Sequence, residues 1–507
     1  MICTFSSVSD LPHRIADMRS ASHLRLKSSI PTESRQPHGR PPRRARRRVP
    51  TSSTRILQQG RPMTTTPSID DPIAAPTIKR VMWKILPLLV VCYVVAFIDR
   101  VNLGFASSYF QSDLGFTATL FGFGAGIFAI GYFIFEVPSN LILHRVGARM
   151  WIARIMVTWG LVSAGFAFVQ AEWSFIALRF LLGVAEAGFF PGIILYLSLW
   201  FPRHVLGRAT AIFILGLPMA MLIGAPLSTG IISSMHDVLG LRGWQWMFVL
   251  EGILAVVIGV VVFFAMTDEP KKASWLTEPQ RTWLMGILAA ERSAKENVRR
   301  YGVLEVLRNR KVLILSACIF CNITALFGIT LWMPQIIKGF GGLSTTTSGL
   351  LTAVPYLFAG IAMVLNARHS DRTGERRWHI LVPAAVGACG LVLAVAAPSP
   401  VWGMVGLCIG ASGILSSNIL FWGIPSMFLT GAAAAAGIAM VNSVGNLGGF
   451  VGPYLTGWAR DLFGNFAAGM YVLAGLALLY GLSTFAYLTF NKSPAAAEPK
   501  PLAVEPA

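Results

Sequence analysis

Two pairs of charged residues stand inside runs of apolar sequence. Asp99 and Arg100 sit side by side in AFIDRVNLGFA, near the end of a run that begins at Ile85. Arg179 and Glu186 lie seven positions apart in LRFLLGVAEAGFFPG. On a helix that spacing is about two turns, so both side chains share nearly one face. Within hydrocarbon each such charge costs at least about 2.5–3.5 kcal/mol at a helix centre. A polar cavity, an opposite charge, or both relieve that cost. An arginine so placed pairs with a carboxylate of the chain or with an incoming anion. A carboxylate released from its arginine takes up a proton. The four residues therefore have the types needed to exchange a bound anion against a proton.

The elements that must position them follow from composition. Of the 507 residues, 54% are hydrophobic and 13% charged, against about a quarter charged in soluble domains. Apolar runs of about 20 residues recur along the chain and predict membrane-spanning helices. They cover 85–108, 119–143, 150–170, 173–200, 207–232 and 244–267, then 312–337, 346–367, 378–397, 401–424, 430–458 and 466–490. The expected fold is an all-α membrane protein of twelve transmembrane helices. If the first span enters at Ile85, Asp99 lies about 21 Å along it at about 1.5 Å per residue. That is about 9 Å short of the far face of a hydrocarbon core about 30 Å thick. The fourth span runs the other way from Trp173 and places Arg179 at the same depth, about 9 Å below that face. A pair between Asp99 and Arg179 is thus geometrically allowed.

The formal net charge is +19, but its distribution does not describe a nucleic-acid-binding face. More than half precedes Met63, in a Ser-, Pro- and Arg-rich segment containing RPPRRARRRVP. Most of the rest falls in short loops, where basic residues set topology. Arg145, Arg149, Arg203, Arg208, the stretch from Lys271 to Lys311, and Arg368 to Arg377 lie on one side. That places both termini in the cytoplasm of a multi-pass cell-membrane protein. Residues 1–62 read as a disordered extension, with Met63 favoured as the start. The expected organisation is 63–267 as a first six-helix bundle and 268–311 as a cytoplasmic linker. A second bundle, 312–490, and a tail, 491–507, complete it. Cys318 and Cys321 form a CxxC inside an apolar run and read as packing residues. No metal or cofactor is expected.

The two bundles show an internal doubling. An offset of 227 residues lays HRVGARMW (144–151) on DRTGERRW (371–378). It also lays Gly122 on Gly349, Gly183 on Gly410, Pro226 on Pro453 and Gly230 on Gly457. Two halves from a duplicated unit, with a binding site near the midplane between them, are the natural reading. At the same offset Asp99 and Arg100 fall on Leu326 and Phe327, and Arg179 and Glu186 on Gly406 and Gly413. The charged chemistry should therefore reside in the first half. Candidate cavity residues of the second are neutral: Asn322, Thr330, Gln335, Tyr356, Asn418, Trp422, Asn442 and Asn446. Glu136 reads as structural rather than coupling.

From Lys79 to Phe490 the chain resembles the major facilitator superfamily. A finer resemblance, to its anion:cation symporter family, is carried by IDRVNLGFA, FEVPSNLILHRVGARMW, LRFLLGVAEAGFFPG, LWMPQIIK, HSDRTGERRWH and NLGGFVGPYLTG. That family includes carriers for tartrate, phthalate, hexonates and hydroxyphenylacetate. The resemblance implies proton-coupled uptake of an organic anion, in a bacterial inner membrane, by alternating access. It implies that Asp99 and Glu186 couple protons and that Arg100 and Arg179 bind substrate. Tyr132, Trp422 and Asn442 fall at family cavity positions. The inner-loop signature matches Asp371, Arg372 and Arg376, with Arg145 and Arg149 in the first copy, where His144 replaces the common Asp. The expected partners are a small organic anion, protons and lipid. Export or exchange of an anion, or anion sensing without flux, are the alternatives. An ATP-driven pump is disfavoured because no GxxxxGK[ST] loop occurs. An enzyme is disfavoured because no nucleophile–base or HExxH cluster occurs.

Overall fold

The computed structural model describes residues 71–296, 308–425 and 431–491. The chain divides into units 1–64 and 65–507, and every described residue belongs to the second. The extension 1–62, the start at Met63, and the tail 491–507 beyond its first residue lie outside the described residues.

The described residues are almost entirely helical, with a single isolated bridge between Val238 and Leu241. The first half comprises α1 (Ala74–Leu114), α2 (Ala118–Val146), α3 (Ala148–Gly165), α4 (Glu172–Glu186), α5 (Phe189–Trp200), α6 (Arg203–Ile214), α7 (Gly216–Ser234) and α8 (Gly243–Ala265). The amphipathic helix α9 (Glu278–Glu296) follows. The second half comprises α10 (Arg310–Lys338), α11 (Thr345–Leu351), α12 (Ala353–Thr373), α13 (Arg377–Ala396), α14 (Pro400–Phe421), α15 (Gly431–Phe463) and α16 (Ala467–Phe490). Among the described residues, eleven helical stretches are long and apolar enough to cross a membrane, counting α4–α5, α6–α7 and α11–α12 as one each. The 33-residue α15 packs among them, against α2 and α10.

Backbone polar groups in hydrocarbon must be satisfied internally, and this explains the length and continuity of the helices. Their ends are set by local chemistry. Gly115 closes α1 in the left-handed region at φ 70°, and the Thr117 side chain accepts from Leu120 N–H to open α2. The apolar run begins at Ile85, yet α1 starts at Ala74, and Arg80 in its first turns reaches Gln280 of α9 at 3.4 Å.

The span expected over 173–200 is present as one crossing, Glu172–Trp200, with an internal break. It breaks between α4 and α5 at Ala187–Gly188, immediately after Glu186. Gly188 adopts φ 85°, a conformation that disfavours any side chain, and a Cβ there would collide with Ser139. Ser139 in turn donates to the Ala187 carbonyl at 2.6 Å, satisfying a group that the break releases.

The duplicated glycines occupy matching places. A Cβ on Gly122 of α2 would clash with the backbone of α15 at Pro453, and one on its counterpart Gly349 of α11 would clash with Thr229 of α7. Each glycine therefore allows one half to approach the other closely. The same end of the bundle is tied by polar contacts. Asp461 accepts from the Thr119 backbone and hydroxyl, each at 2.6 Å, and Arg460 donates to Gln111 at 2.7 Å and Gln335 at 2.5 Å. At the opposite end the ion pairs Arg149–Asp268 and Arg376–Asp371 each stay within one half.

Candidate functional site

α1 and α4 bring Arg100 against Glu186. The guanidinium donates through Nε at 2.7 Å and approaches through Nη2 at 2.5 Å, both to Oε1. Glu186 is almost fully buried and Arg100 is 17% exposed at its side chain. The Arg100 guanidinium also lies 5.1, 5.2 and 5.4 Å from the ring centroids of Phe97, Phe128 and Tyr132. Such aromatic faces favour a cation, and more so when it is desolvated. Tyr132, on α2, therefore lies beside Arg100.

Arg179 does not take up the pairing that its depth allows. It forms no ion pair with Asp99. It donates instead to the carbonyls of Ala125 at 3.0 Å and Gly124 at 3.4 Å on α2, with its guanidinium 5.1 Å from the Phe128 ring. Matching depth permits a pair but does not direct two side chains toward each other. Asp99 takes its hydrogen bonds elsewhere. It accepts from Ser163 of α3 and from Asn102, one turn along its own helix, at 3.1 Å.

The second half contributes neutral groups. Asn442 and Ser443 of α15 donate across to the two oxygens of Glu136 on α2, at 3.0 and 3.1 Å. Glu136, read from the sequence as merely structural, thus holds a residue proposed for the cavity. Trp422, half-buried just past α14, packs edge-on against Phe421 at 5.9 Å. Asn418 donates to Asn322 at 2.6 Å.

The two short loops differ in construction. In the second half, Gly374 turns the chain at φ 66° and Glu375 accepts from the backbone of Arg377 at 2.7 Å and Trp378 at 3.0 Å, and from His379 at 3.0 Å. Partial burial acts to raise the Glu375 pKa. The bonds from His379, Trp378 and Arg377 outweigh it and hold the carboxyl below its ordinary range. Asp371 lies 3.7 Å from Arg376, and Arg372 is exposed. In the first half, Asp268, which follows α8, accepts from the Arg149 N–H at 2.8 Å; Arg145 is exposed.

Sequence reasoning missed Glu251 of α8. It is 2% exposed, accepts from Ser228 of α7 at 2.7 Å, and accepts from Asn102 at 2.9 Å. Its signal was available: it is the lone charge in GWQWMFVLEGILAVVIGVV, and the cost argument used for Asp99 applies to it equally.

Comparisons with known proteins agree with this architecture. The family model described as Major Facilitator Superfamily matches residues 89–453. A protein of Agrobacterium vitis named "Putative tartrate transporter" is 49% identical, over 85% of this chain and 95% of its own length. The "Quinolone resistance transporter" of Acinetobacter baumannii is 42% identical, over 82% of this chain and 95% of its own. The inward open xylose transporter XylE of E. coli superposes with a TM-score of 0.65 at 14% identity, covering 81% of this chain and 98% of its own, and so shares the fold. The doubled bundle, the family match and these relatives lead to one conclusion: the chain belongs to the Major Facilitator Superfamily and is a multi-pass membrane transporter rather than an enzyme.

Proposed function

We propose that the protein imports a small organic anion together with protons by alternating access. The observation that carries this reading is the buried Arg100–Glu186 pair, ringed by Phe97, Phe128 and Tyr132. A substrate carboxylate competes with Glu186 for Arg100. Once displaced, Glu186 is a buried carboxylate without a cation, and it takes a proton. Asp99 accepts a second proton, and the neutralised site crosses to the inner side. Arg179 adds positive potential and orients the anion, while Tyr132, Trp422 and Asn442 hydrogen-bond or pack against it.

The bundles 63–267 and 312–490 rock about this site, joined by the linker 268–311. Arg145, Arg149, Asp371, Arg372 and Arg376 change partners as they do so. Both termini face the cytoplasm of a bacterial inner membrane. The contacts of Asp461 and Arg460 close the outer end, and the inner end opens. The name of the Agrobacterium vitis relative makes a tartrate-like dicarboxylate the first substrate to try, and the aromatic lining leaves room for an aromatic acid.

The test is uptake into proteoliposomes of tartrate and a panel of aliphatic and aromatic carboxylates, with and without an inward proton gradient. Accumulation that depends on the gradient supports symport. Gradient-independent exchange supports the second reading, an exchanger or exporter, which the name of the Acinetobacter baumannii relative favours. Saturable binding without flux would leave only a sensor.

A further inference from the structure

Beside the Arg100–Glu186 pair, the first half encloses a second acidic site. Asp99 and Glu251 are 5% and 2% exposed, and neither forms an ion pair among the described residues. Asn102, with no exposed surface, stands between them and donates its amide NH2 to both, at 3.1 Å to Asp99 Oδ1 and 2.9 Å to Glu251 Oε2. Ser163 donates to Asp99, and Ser228 donates to Glu251 Oε1 at 2.7 Å. Four helices, α1, α3, α7 and α8, thus meet on two carboxyl groups.

One atom in the cluster is left over. The Asn102 carbonyl Oδ1 is buried and has no hydrogen-bond partner. Every N–H and O–H of the cluster already points at a carboxylate, so what is missing is a donor, and an unmatched buried acceptor is costly. A proton on a carboxyl group turned toward it supplies that donor. A metal cation fits less well, because no group of three or more His, Cys, Asp or Glu gathers here or elsewhere among the described residues. The surrounding cations do not neutralise both carboxylates: Arg179 keeps its charge and acts on Asp99, but among the described residues no cation stands beside Glu251. Arg100 is engaged by Glu186, Arg179 is bonded to carbonyls of α2, and α3 and α7 present only hydroxyls.

We propose that Glu251 and Asp99, joined through Asn102, form a proton-holding site in which Glu251 is a carrier distinct from the Arg100–Glu186 pair. Its part in uptake rests on the proton-coupled reading above; the presence of the proton does not.

The test is infrared difference spectroscopy, across pH, of the full chain in lipid nanodiscs. Wild type is expected to show a protonated-carboxyl carbonyl band at neutral pH that Glu251→Gln removes. Ser228→Ala, which takes away a donor to the same group, is expected to move that band to higher frequency. If Glu251→Gln does not fold, the Ser228→Ala shift carries the test. An unchanged protonated-carboxyl region in both variants, at every pH where the protein stays folded, overturns the proposal. So does a Glu251 carboxylate band that responds to sodium instead of pH. Loss of the band in Glu251→Gln, alongside wild-type vesicles that show no proton-driven uptake of tartrate or the panel, would support the site and sink the symport reading.

Discussion

The two halves descend from one plan and differ in what they bury. The first encloses Asp99, Glu136, Arg179, Glu186 and Glu251. At the offset of 227, Asp99, Asn102, Ser163, Ser228 and Glu251 fall on Leu326, Ile329, Gly390, Leu455 and Leu478. The cluster is therefore absent as a unit from the second half, not merely thinned there. What the second half offers beside the buried acids is neutral: Asn442 and Ser443, both bonded to Glu136, while its Arg460 and Asp461 cross only at the end of the bundle. Charge is costly in hydrocarbon, and this molecule confines most of it to one half. Around the buried acids the other half serves as a polar but uncharged counter-surface. The glycines that let the halves approach, Gly122 and Gly349, are kept in both.

The hardest test of that contrast is Arg100→Ala. It removes the cation and leaves Glu186 buried without a partner, a loss of about 3–5 kcal/mol for broken buried pairs. Uptake of the carried carboxylate should fall by about a hundredfold or more, read in proteoliposomes of protein that still passes a thermal-unfolding check. Near-normal uptake would move the anion site away from the first half.

Asp99→Asn should have a narrower effect. Uphill accumulation should collapse to the equilibrium ratio, while counterflow exchange of the same substrate continues. Proton-driven accumulation that survives the change would remove Asp99 from coupling and leave Glu186 as the better candidate.

Asn442→Ala probes the neutral half. It removes one hydrogen bond to Glu136, worth about 0.5–1.5 kcal/mol, so KM should rise by about two- to tenfold with accumulation still dependent on the proton gradient. Loss of the gradient dependence would show that the second half carries coupling after all.

The smallest effect is expected at the loops. Glu375→Gln weakens a cap-like arrangement at the start of α13, a change of about 1 kcal/mol or less. Because the folded carboxyl is held below its ordinary range, its contribution is present above the unfolded carboxylate pKa. It fades as pH falls through the lower folded value. The difference in thermal stability between wild type and variant should thus be full at neutral pH and shrink in acid. A difference that grew on acidification would contradict the assignment.

Sequence reasoning served some of these features far better than others. The spans were legible because hydrocarbon admits little else than long apolar helices, and the residues placed at depth were legible because charge there is rare. The break after Glu186 was not, since hydropathy does not register that Gly188 takes a left-handed conformation beneath Ser139. The partners of Arg179 were not legible either. Depth along a helix follows from counting residues, but the direction of a side chain depends on how two helices rotate and tilt against each other. Glu251 could have been found by the argument applied to Asp99; its link through Asn102 could not, because those residues lie 149 positions apart.

The sequence by itself determined that this chain crosses a membrane repeatedly, that it is doubled, and that its buried charges crowd into one copy, because each of these is a matter of composition and order. Only the tertiary structure decided that Arg100 meets Glu186, that Asn442 meets Glu136, and that Asp99 shares Asn102 with Glu251. Those pairings arise where helices distant in the chain are pressed together, and packing chooses the faces they present.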